Sequence, residues 1–228
     1  MSASPRLIEV RAKVLKQNDL LARELRARFR GSGVYVVSLV SSPGSGKTAF
    51  LEKLLSRLSA THRVAALVGD LATENDAARL KRAAPMVRQI TTGTICHLDA
   101  QMIERALEDW PLADLDFLFI ENVGNLVCPS SYDLGEELRI VLLSTTEGED
   151  KPLKYPTIFN GADVAIITKL DLAAAAEFDL AAARRSIESV RPGMQVFEVS
   201  SKTGQGMDDA LSFLQARLEA SRMALQHD

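Results

Sequence analysis

Short apolar runs alternate along the chain with longer amphipathic stretches. The apolar runs are typical of buried strands, and they lie at residues 34–40, 64–68, 87–92, 116–120, 137–144, 164–168 and 196–199. Apolar residues at three- and four-residue steps predict helices at residues 6–30, from 48 onward, and at 76–84, 99–110, 178–190 and 207–224. Such alternation is typical of a mostly parallel, twisted sheet with helices on both faces. We therefore predict an α/β fold, which binds ligands beyond the carboxyl ends of its strands.

The first predicted helix precedes the first strand. A polar residue, Asn18, interrupts its apolar seam, which consists of Leu7, Val10, Val14, Leu21 and Leu25. Such a helix packs either on the surface of its own domain or against a partner or second copy of the chain. We expect one domain over residues 1–228, with the N-terminal helix at 1–30 and the α/β part at 34–224.

The first strand ends in a glycine-rich turn, SSPGSGKT, at residues 41–48. A strand, such a turn and a helix form the context that a phosphate-binding loop requires. The glycines let backbone N–H groups approach an anion, and the helix N-terminus adds a partial positive charge. Ser41 replaces the first glycine of the motif, and the alternative is an ordinary joint between strand and helix. The residues expected to contact nucleotide are Pro43, Gly44, Ser45, Gly46, Lys47, Thr48 and Ala49.

Acidic residues follow two of the other predicted strands, Asp70 after the second and Glu121 after the fourth. Carboxylates at these strand ends, beside a phosphate loop, suit Mg²⁺ or its waters. Gly124 follows shortly and offers a bare backbone N–H to a γ-phosphate. No side chain is an obvious general base, so we expect water as the nucleophile. The residues that we assign to catalysis are Lys47 on the β- and γ-phosphates, Thr48 with its hydroxyl on Mg²⁺, Asp70 and Glu121.

The sixth predicted strand leads into TKLD at residues 168–171, which is similar to the guanine-reading pattern Asn-Lys-x-Asp. The Asp171 carboxylate can accept from guanine N1–H and the 2-amine together, whereas adenine would leave it unpaired. The Lys169 stem can cover the base, but Thr168 lacks the donors of an asparagine amide. SSK at residues 200–202 matches the last guanine loop, and the order of these motifs predicts a GTPase. The residues expected near the base are Thr168, Lys169, Asp171, Ser201 and Lys202.

The chain has two cysteines. Cys96 adjoins His97, and Cys128 follows the predicted Mg²⁺ ligand Glu121 by seven residues. Thiolate and imidazole ligands suit Zn²⁺ or Ni²⁺. The spacing also fits cysteines that are buried as small apolar residues. Cys128 lies on the segment expected to move with the γ-phosphate. Three ligands are incomplete for a closed tetrahedral site, so a symmetric dimer could bring two sets together.

Composition excludes several other classes of protein. A net charge of −3 argues against a dedicated nucleic-acid binder. No apolar run approaches the roughly 18 residues of a membrane span, and the N-terminus lacks the apolar region of a signal peptide. Two cysteines in a nucleotide-binding chain indicate a reducing cytoplasm.

Motifs along the whole chain are similar to those of one family. SSPGSGKT, VGDLATENDAARL, GTICHLDA, ENVGNLVCPSSYDLGE, EGEDKPLKYP, ITKLDL and VSSKTGQG resemble the hydrogenase nickel-incorporation GTPases (HypB). This resemblance implies a P-loop NTPase of the SIMIBI type of G protein, with slow intrinsic turnover, that dimerises with GTP. It implies passage of nickel towards the hydrogenase large subunit, together with a zinc-containing partner (HypA).

The resemblance also implies roles for single residues. It puts GTP or GDP and Mg²⁺ on the nucleotide residues named above, and interface metal on Cys96, His97 and Cys128. A lysine near the polar loop at 148–156, either Lys151 or Lys154, is implied to reach the nucleotide of a partner subunit.

Two departures from the family change the expectations. The chain begins MSASPRLIEV without the Cys-x-x-Cys-Gly-Cys site of some members, so nickel storage there is not expected. Ala72 stands where the family usually has an acid. Two other functions stay open: a GTP-dependent protein-docking switch with a structural zinc site, and a kinase, which the guanine motifs disfavour. The choice between Ni²⁺ and Zn²⁺ also stays open.

Overall fold

The computed structural model describes residues 5–71 and 75–226. Within them the strands are β1 (Tyr35–Ser41), β2 (Val64–Asp70), β3 (Met86–Thr91), β4 (Phe117–Glu121), β5 (Leu138–Ser144), β6 (Val164–Thr168) and β7 (Gln195–Glu198). The α-helices are α1 (Pro5–Ser32), α2 (Lys47–Leu58), α3 (Asn75–Leu80), α4 (Ala100–Ala106), α5 (Lys151–Lys154), α6 (Pro156–Asn160), α7 (Leu180–Val190) and α8 (Met207–Leu225). Short 3₁₀ turns lie at Leu112–Asp114, Cys128–Ser131 and Leu170–Leu172. None of the helices described has the length and hydrophobicity of a membrane span.

The strands lie parallel in one sheet, in the order β3-β2-β4-β1-β5-β6-β7. β1 is central, with Leu39 opposite Glu121 of β4 and Ser41 opposite Leu142 of β5. Because all strands point the same way, their carboxyl ends meet along one edge of the sheet. This confirms the predicted α/β fold and brings the glycine-rich turn, Asp70 and Glu121 to the same edge.

Helices cover both faces of the sheet. Phe117 and Phe119 of β4 pack in a cluster with residues of α2 and α8, while Leu118 and Ile120 pack on the other face with α1 and α4. A third cluster around Phe159 joins β5 and β6 to α6 and α7. Burial on both faces explains why the strands are continuous apolar runs without alternation.

The polar stretch at 148–156 differs from the expected loop, because it contains α5 and the start of α6. Pro152 and Pro156 lie in the first turns of these helices. A proline there loses no intrahelical hydrogen bond and its fixed φ suits the helix. Prolines that suggest a loop therefore begin two short helices.

Helix α1 packs on its own domain, which is one of the two alternatives that the sequence predicted. Leu25 and Phe29 are buried in the cluster that covers this face of the sheet. Asn18 is also buried, so it is part of the packed face and does not interrupt it. The side chains of Leu7 and Val10 lie outside the described part of the chain.

The first stability prediction concerns Gly206, which precedes α8 with a φ of +69°. A Cβ at this position would lie 1.9 Å from the carbonyl oxygen of Glu198. We expect Gly206→Ala to lower the free energy of unfolding by at least about 3 kcal/mol, measured by urea denaturation, because strain and steric overlap add. Gly193 is the matched control, since its φ is +76° and nothing lies within 4 Å of an added Cβ. Gly193→Ala should cost only about 1–2 kcal/mol, and equal costs would contradict the prediction.

Candidate functional site

The carboxyl ends of β1, β2 and β4 enclose a cleft of about 390 Å³. It has the concave shape and convergent polar groups that are typical of a ligand site. The predicted residues that line it are Pro43, Gly44, Gly46, Lys47, Thr48, Ala49, Asp70, Glu121 and Gly124. The structure therefore brings the glycine-rich turn and both acidic residues into one cavity.

Lys47 begins α2 and is almost fully buried. Its Nζ donates to Ser41 Oγ at 2.9 Å, and the same oxygen is hydrogen-bonded to Ser45 Oγ. The serine that replaces the first motif glycine thus orients the lysine. Burial lowers the pKa of Lys47, while the charge of Glu121 opposes this shift. The buried Lys47 ammonium strongly attracts an anion that enters the cleft.

Glu121 is buried at the end of β4, and its Oε1 accepts from the Thr48 hydroxyl at 2.7 Å. Its Oε2 is buried and has no hydrogen-bond partner among the described residues. Burial raises the pKa of Glu121 to about 7, although the Lys47 charge and the Thr48 hydroxyl lower it. A vacant carboxylate oxygen beside a hydroxyl fits the oxygen donors that Mg²⁺ prefers, and Asp70 lines the same cleft.

Gly124 lies directly against the glycine-rich turn. An added Cβ would be 2.8 Å from Pro43 Cα, so only glycine permits this approach. The segment after β4 and the glycine-rich turn therefore lie in direct contact.

Asp76 and Arg79 of α3 also line the cleft, and the sequence analysis did not assign them to it. Arg79 Nε donates to Glu52 of α2, which fixes the guanidinium at the rim. The signal that could have identified them is their place on the first helix after Asp70, because helices after strand ends face the ligand edge. Ala72 lies outside the described residues.

The TKLD segment after β6 contacts the glycine-rich turn. The Thr168 hydroxyl donates to the Ser45 carbonyl at 2.6 Å, and Lys169 Nζ donates to the Gly44 carbonyl at 2.7 Å. The threonine in place of asparagine thus supports the turn through its hydroxyl. The Lys169 side chain thus lies against the glycine-rich turn.

Asp171 Oδ1 accepts from Ser200 Oγ at 2.6 Å, which joins the TKLD segment to the loop after β7. Ser201 and Lys202 line a neighbouring cavity of about 500 Å³. Ala49 and Arg79 line both cavities, so the two cavities are neighbours. Of the residues predicted to contact the base, Ser201 and Lys202 line the second cavity, whereas Thr168, Lys169 and Asp171 line neither of the two.

Cys96, His97 and Cys128 converge in a single chain. One ligand atom from each residue lies within 4.8 Å of the others, and the two Sγ atoms are 2.8 Å apart as free thiols. The two cysteines are therefore half-buried neighbours and not separately buried apolar residues. Two thiols and an imidazole form a donor set that suits Zn²⁺ or Ni²⁺.

His97 stacks on Tyr132, with ring centroids 3.9 Å apart. Its Nδ1 is buried and has no partner among the described residues. Burial lowers the pKa of His97, while the charge of Asp99 opposes the shift. The neutral imidazole, which is the form that binds metals, is therefore favoured.

The cleft and the Cys/His group share the segment that follows β4. Asn122, next to Glu121, accepts from the Leu98 N–H at 3.0 Å through Oδ1, close to His97. Asn125 Nδ2 donates to the Cys96 carbonyl at 3.4 Å. The sequence analysis assigned a role to neither asparagine. The available signal was that Asn122 is a polar residue directly after a buried strand. A displacement of this segment would reach both sites.

The fold and the cleft define a P-loop nucleotide-binding protein with an adjoining Cys/His group. The family model "CobW/HypB/UreG, nucleotide-binding domain" matches residues 35–198. A hydrogenase maturation factor HypB from Azotobacter chroococcum is 44% identical over 97% of this chain and 74% of its own length. A hydrogenase/urease maturation factor HypB from Helicobacter hepaticus is 45% identical over 92% of this chain and 88% of its own.

Solved structures agree with the sequence relatives. The crystal structure of HypB from Helicobacter pylori in complex with nickel is 44% identical, with a TM-score of 0.84 over 90% of this chain and 96% of that one. HypB from Archaeoglobus fulgidus gives 37% identity and a TM-score of 0.83 over 89% of this chain and 99% of its own. The chain belongs to the HypB family of hydrogenase maturation factors, which confirms the resemblance inferred from the motifs.

The second prediction uses the pKa of Glu121. Because folding raises this pKa from 4.5 to about 7, ionising the carboxyl at pH 8 costs about 3 kcal/mol of folding free energy. The cost is absent below about pH 4.5 and complete above about pH 7. Glu121→Gln keeps an acceptor for Thr48, so we expect the nucleotide-free variant to be more stable than wild type at pH 8 but equal near pH 4. Urea denaturation across this range measures the difference, and a constant difference at every pH would contradict the prediction.

Proposed function

We propose that this chain is a GTP-hydrolysing metallochaperone that aids nickel insertion into [NiFe]-hydrogenase. The observation that carries the proposal is the shared segment at 121–125, which lines the nucleotide cleft and binds the loop of Cys96 and His97 through its asparagines. A protein that couples hydrolysis to release of a metal needs a connection of this kind. Membership of the HypB family and the complex of Helicobacter pylori HypB with nickel support the choice of cargo.

The phosphates of GTP bind on the glycine-rich turn and the N-terminus of α2. The Lys47 ammonium neutralises their charge, and the backbone N–H groups of the turn and Gly124 donate to their oxygens. Thr48, Asp70 and Glu121 are the residues that would hold Mg²⁺. When bound, Mg²⁺ supplies charge stabilisation on the β- and γ-phosphates. Water is the nucleophile, and we expect an intrinsic kcat below about 1 per second, as for GTPases that await an arginine or an interface supplied by a partner.

The guanine base binds beyond Ala49, between the TKLD segment and the loop with Ser201 and Lys202. The Asp171 carboxylate accepts from N1–H and the 2-amine of guanine. Ser200 positions this carboxylate by its hydrogen bond. Lys169 already lies over the turn at Gly44, where its stem covers the base or ribose.

The metal cargo, Ni²⁺ or Zn²⁺, binds to Cys96, His97 and Cys128. Three ligands leave the coordination of the metal open, and two exposed apolar residues, Ile95 at 41% and Val127 at 62%, adjoin these ligands. Exposed apolar surface around an open metal site favours a face that meets a second copy of the chain. We therefore propose a homodimer in the GTP state with metal at its interface, which hydrolysis loosens.

The partners follow from the family: a HypA-like zinc protein and the hydrogenase large subunit. Two lysines of α5 are candidates for reaching the nucleotide of the second copy. Lys151 pairs with Glu147 at 3.7 Å, whereas Lys154 pairs with Asp150 and is more exposed. We expect the nucleotide state to control the contacts with these partners through the Cys/His group, the exposed residues Ile95 and Val127, and α5.

The third prediction tests the coupling. Nickel titrations, followed by thiolate-to-nickel charge-transfer absorbance, should give at least tenfold tighter binding with a non-hydrolysable GTP analogue and Mg²⁺ than with GDP, or about 1.4 kcal/mol of coupling. Cys128→Ala should abolish binding in both states but retain GTP hydrolysis. Identical curves in the two nucleotide states would instead favour a GTP-dependent docking switch with a structural metal.

The fourth prediction tests base selection. Asp171→Asn should lower kcat/KM for GTP at least about 100-fold, because an amide cannot accept from both guanine donors. It should raise kcat/KM for xanthosine triphosphate, whose 2-carbonyl accepts from the new amide. Ser200→Ala is the control, since it keeps the carboxylate and should keep the preference for GTP. Equal losses with both nucleotides would mean that Asp171 only supports the loop.

A further inference from the structure

Asn18 is a buried polar residue on α1, and both ends of its side-chain amide are used. Its Oδ1 accepts from the Ala100 N–H at 2.9 Å, and its Nδ2 donates to the Asp133 carbonyl at 2.9 Å. The side chain is only 8% exposed. Since one partner is a donor and the other an acceptor, the orientation of the amide is determined by its neighbours. One side chain thus links two segments that are distant in sequence.

These two segments are the ones that carry the Cys/His group. Ala100 is the first residue of α4 and follows His97 closely, while Asp133 lies just beyond the turn that begins at Cys128. Tyr132, next to Asp133, stacks on His97. Asn18 therefore joins the two segments a few residues beyond their candidate ligand side chains.

Helix α1 makes further contacts with the segment that follows Cys128. Arg26 forms an ion pair with Asp133 at 2.7 Å and donates to the Glu136 carbonyl at 3.3 Å. Asp133 in turn accepts from the Gly135 N–H at 2.8 Å. The segment after Cys128 is thus fixed to α1 by several polar contacts, whereas Asn18 alone among these side chains also contacts the start of α4. Removing its amide would leave each segment anchored but their relative position less defined.

We propose that Asn18 is a positioning residue for the metal site, which sets the distance between Cys96 with His97 and Cys128 by binding both segments. The inference rests on the proposed function in one respect, that this cluster binds metal. Residues that support metal ligands without touching the metal typically change affinity by about 10- to 100-fold when they are replaced. An effect of this size is expected although Asn18 contributes no ligand atom.

The experiment measures Ni²⁺ affinity of the full chain with GDP bound, from thiolate-to-nickel charge-transfer absorbance, together with GDP affinity and Tm. Asn18→Ala should weaken Ni²⁺ binding at least tenfold, alter the relative intensity of the charge-transfer bands at saturation, and leave GDP affinity within about twofold. Asn18→Asp keeps an acceptor for Ala100 but directs a carboxylate at the Asp133 carbonyl, so it should weaken Ni²⁺ binding as well.

Phe29→Leu is the matched control. Phe29 is buried near the C-terminal end of α1, away from Asn18, and its side chain has no polar atom that could bind either segment. It should lower Tm while Ni²⁺ affinity and the band intensities stay those of wild type. Equal Ni²⁺ losses in Phe29→Leu and Asn18→Ala would overturn the proposal, and so would wild-type affinity and bands in both Asn18 variants. If wild type itself binds no more Ni²⁺ than Cys128→Ala, the proposed metal site fails and the role of Asn18 fails with it.

Discussion

The parallel arrangement of buried strands around β1 is the constraint on which the other features of this protein depend. β1 and β4 are buried along their whole length and pair through backbone hydrogen bonds at the centre of the sheet. This pairing places the end of each strand at one edge, so that Lys47, Glu121 and the TKLD segment meet. In an antiparallel sheet alternate strands would deliver these groups to opposite edges, and no cleft for a nucleotide would form.

Unfavourable polar burial occurs at both candidate ligand sites. Glu121 Oε2 and His97 Nδ1 are buried without a partner there, and burial lowers the pKa of Lys47. Buried polar groups of this kind cost folding free energy. Their presence beside a phosphate turn and a pair of thiols is consistent with groups that are satisfied by ligands, since perturbed residues cluster at functional sites.

The two sites are close because the chain between them is short and tightly packed. Gly124 contacts Pro43 of the phosphate turn, and Asn122 and Asn125 bind the loop of Cys96 and His97. Hydrogen-bond networks and packed elements of this kind are the physical routes by which two sites can be coupled. Helix α1 adds a rigid third element on the far side of the cluster. The Cys/His group thus lies between a segment that lines the cleft and a helix that does not line it.

The sequence by itself determined the strands, most helices and the glycine-rich turn, and it placed Asp70, Glu121 and TKLD at the ends of strands. These features are local: FLFI before Glu121 is apolar because both faces of β4 are covered, and SSPGSGKT requires neighbouring residues only. The tertiary structure alone decided the rest. Cys96 and Cys128 are 32 positions apart, and their spacing could not show that they meet, although the family resemblance implied a shared site. Nor could it assign Asn18, whose partners are 82 and 115 positions away. Contacts at such separations follow from how helices pack on the sheet, which no local pattern of apolar and polar residues encodes.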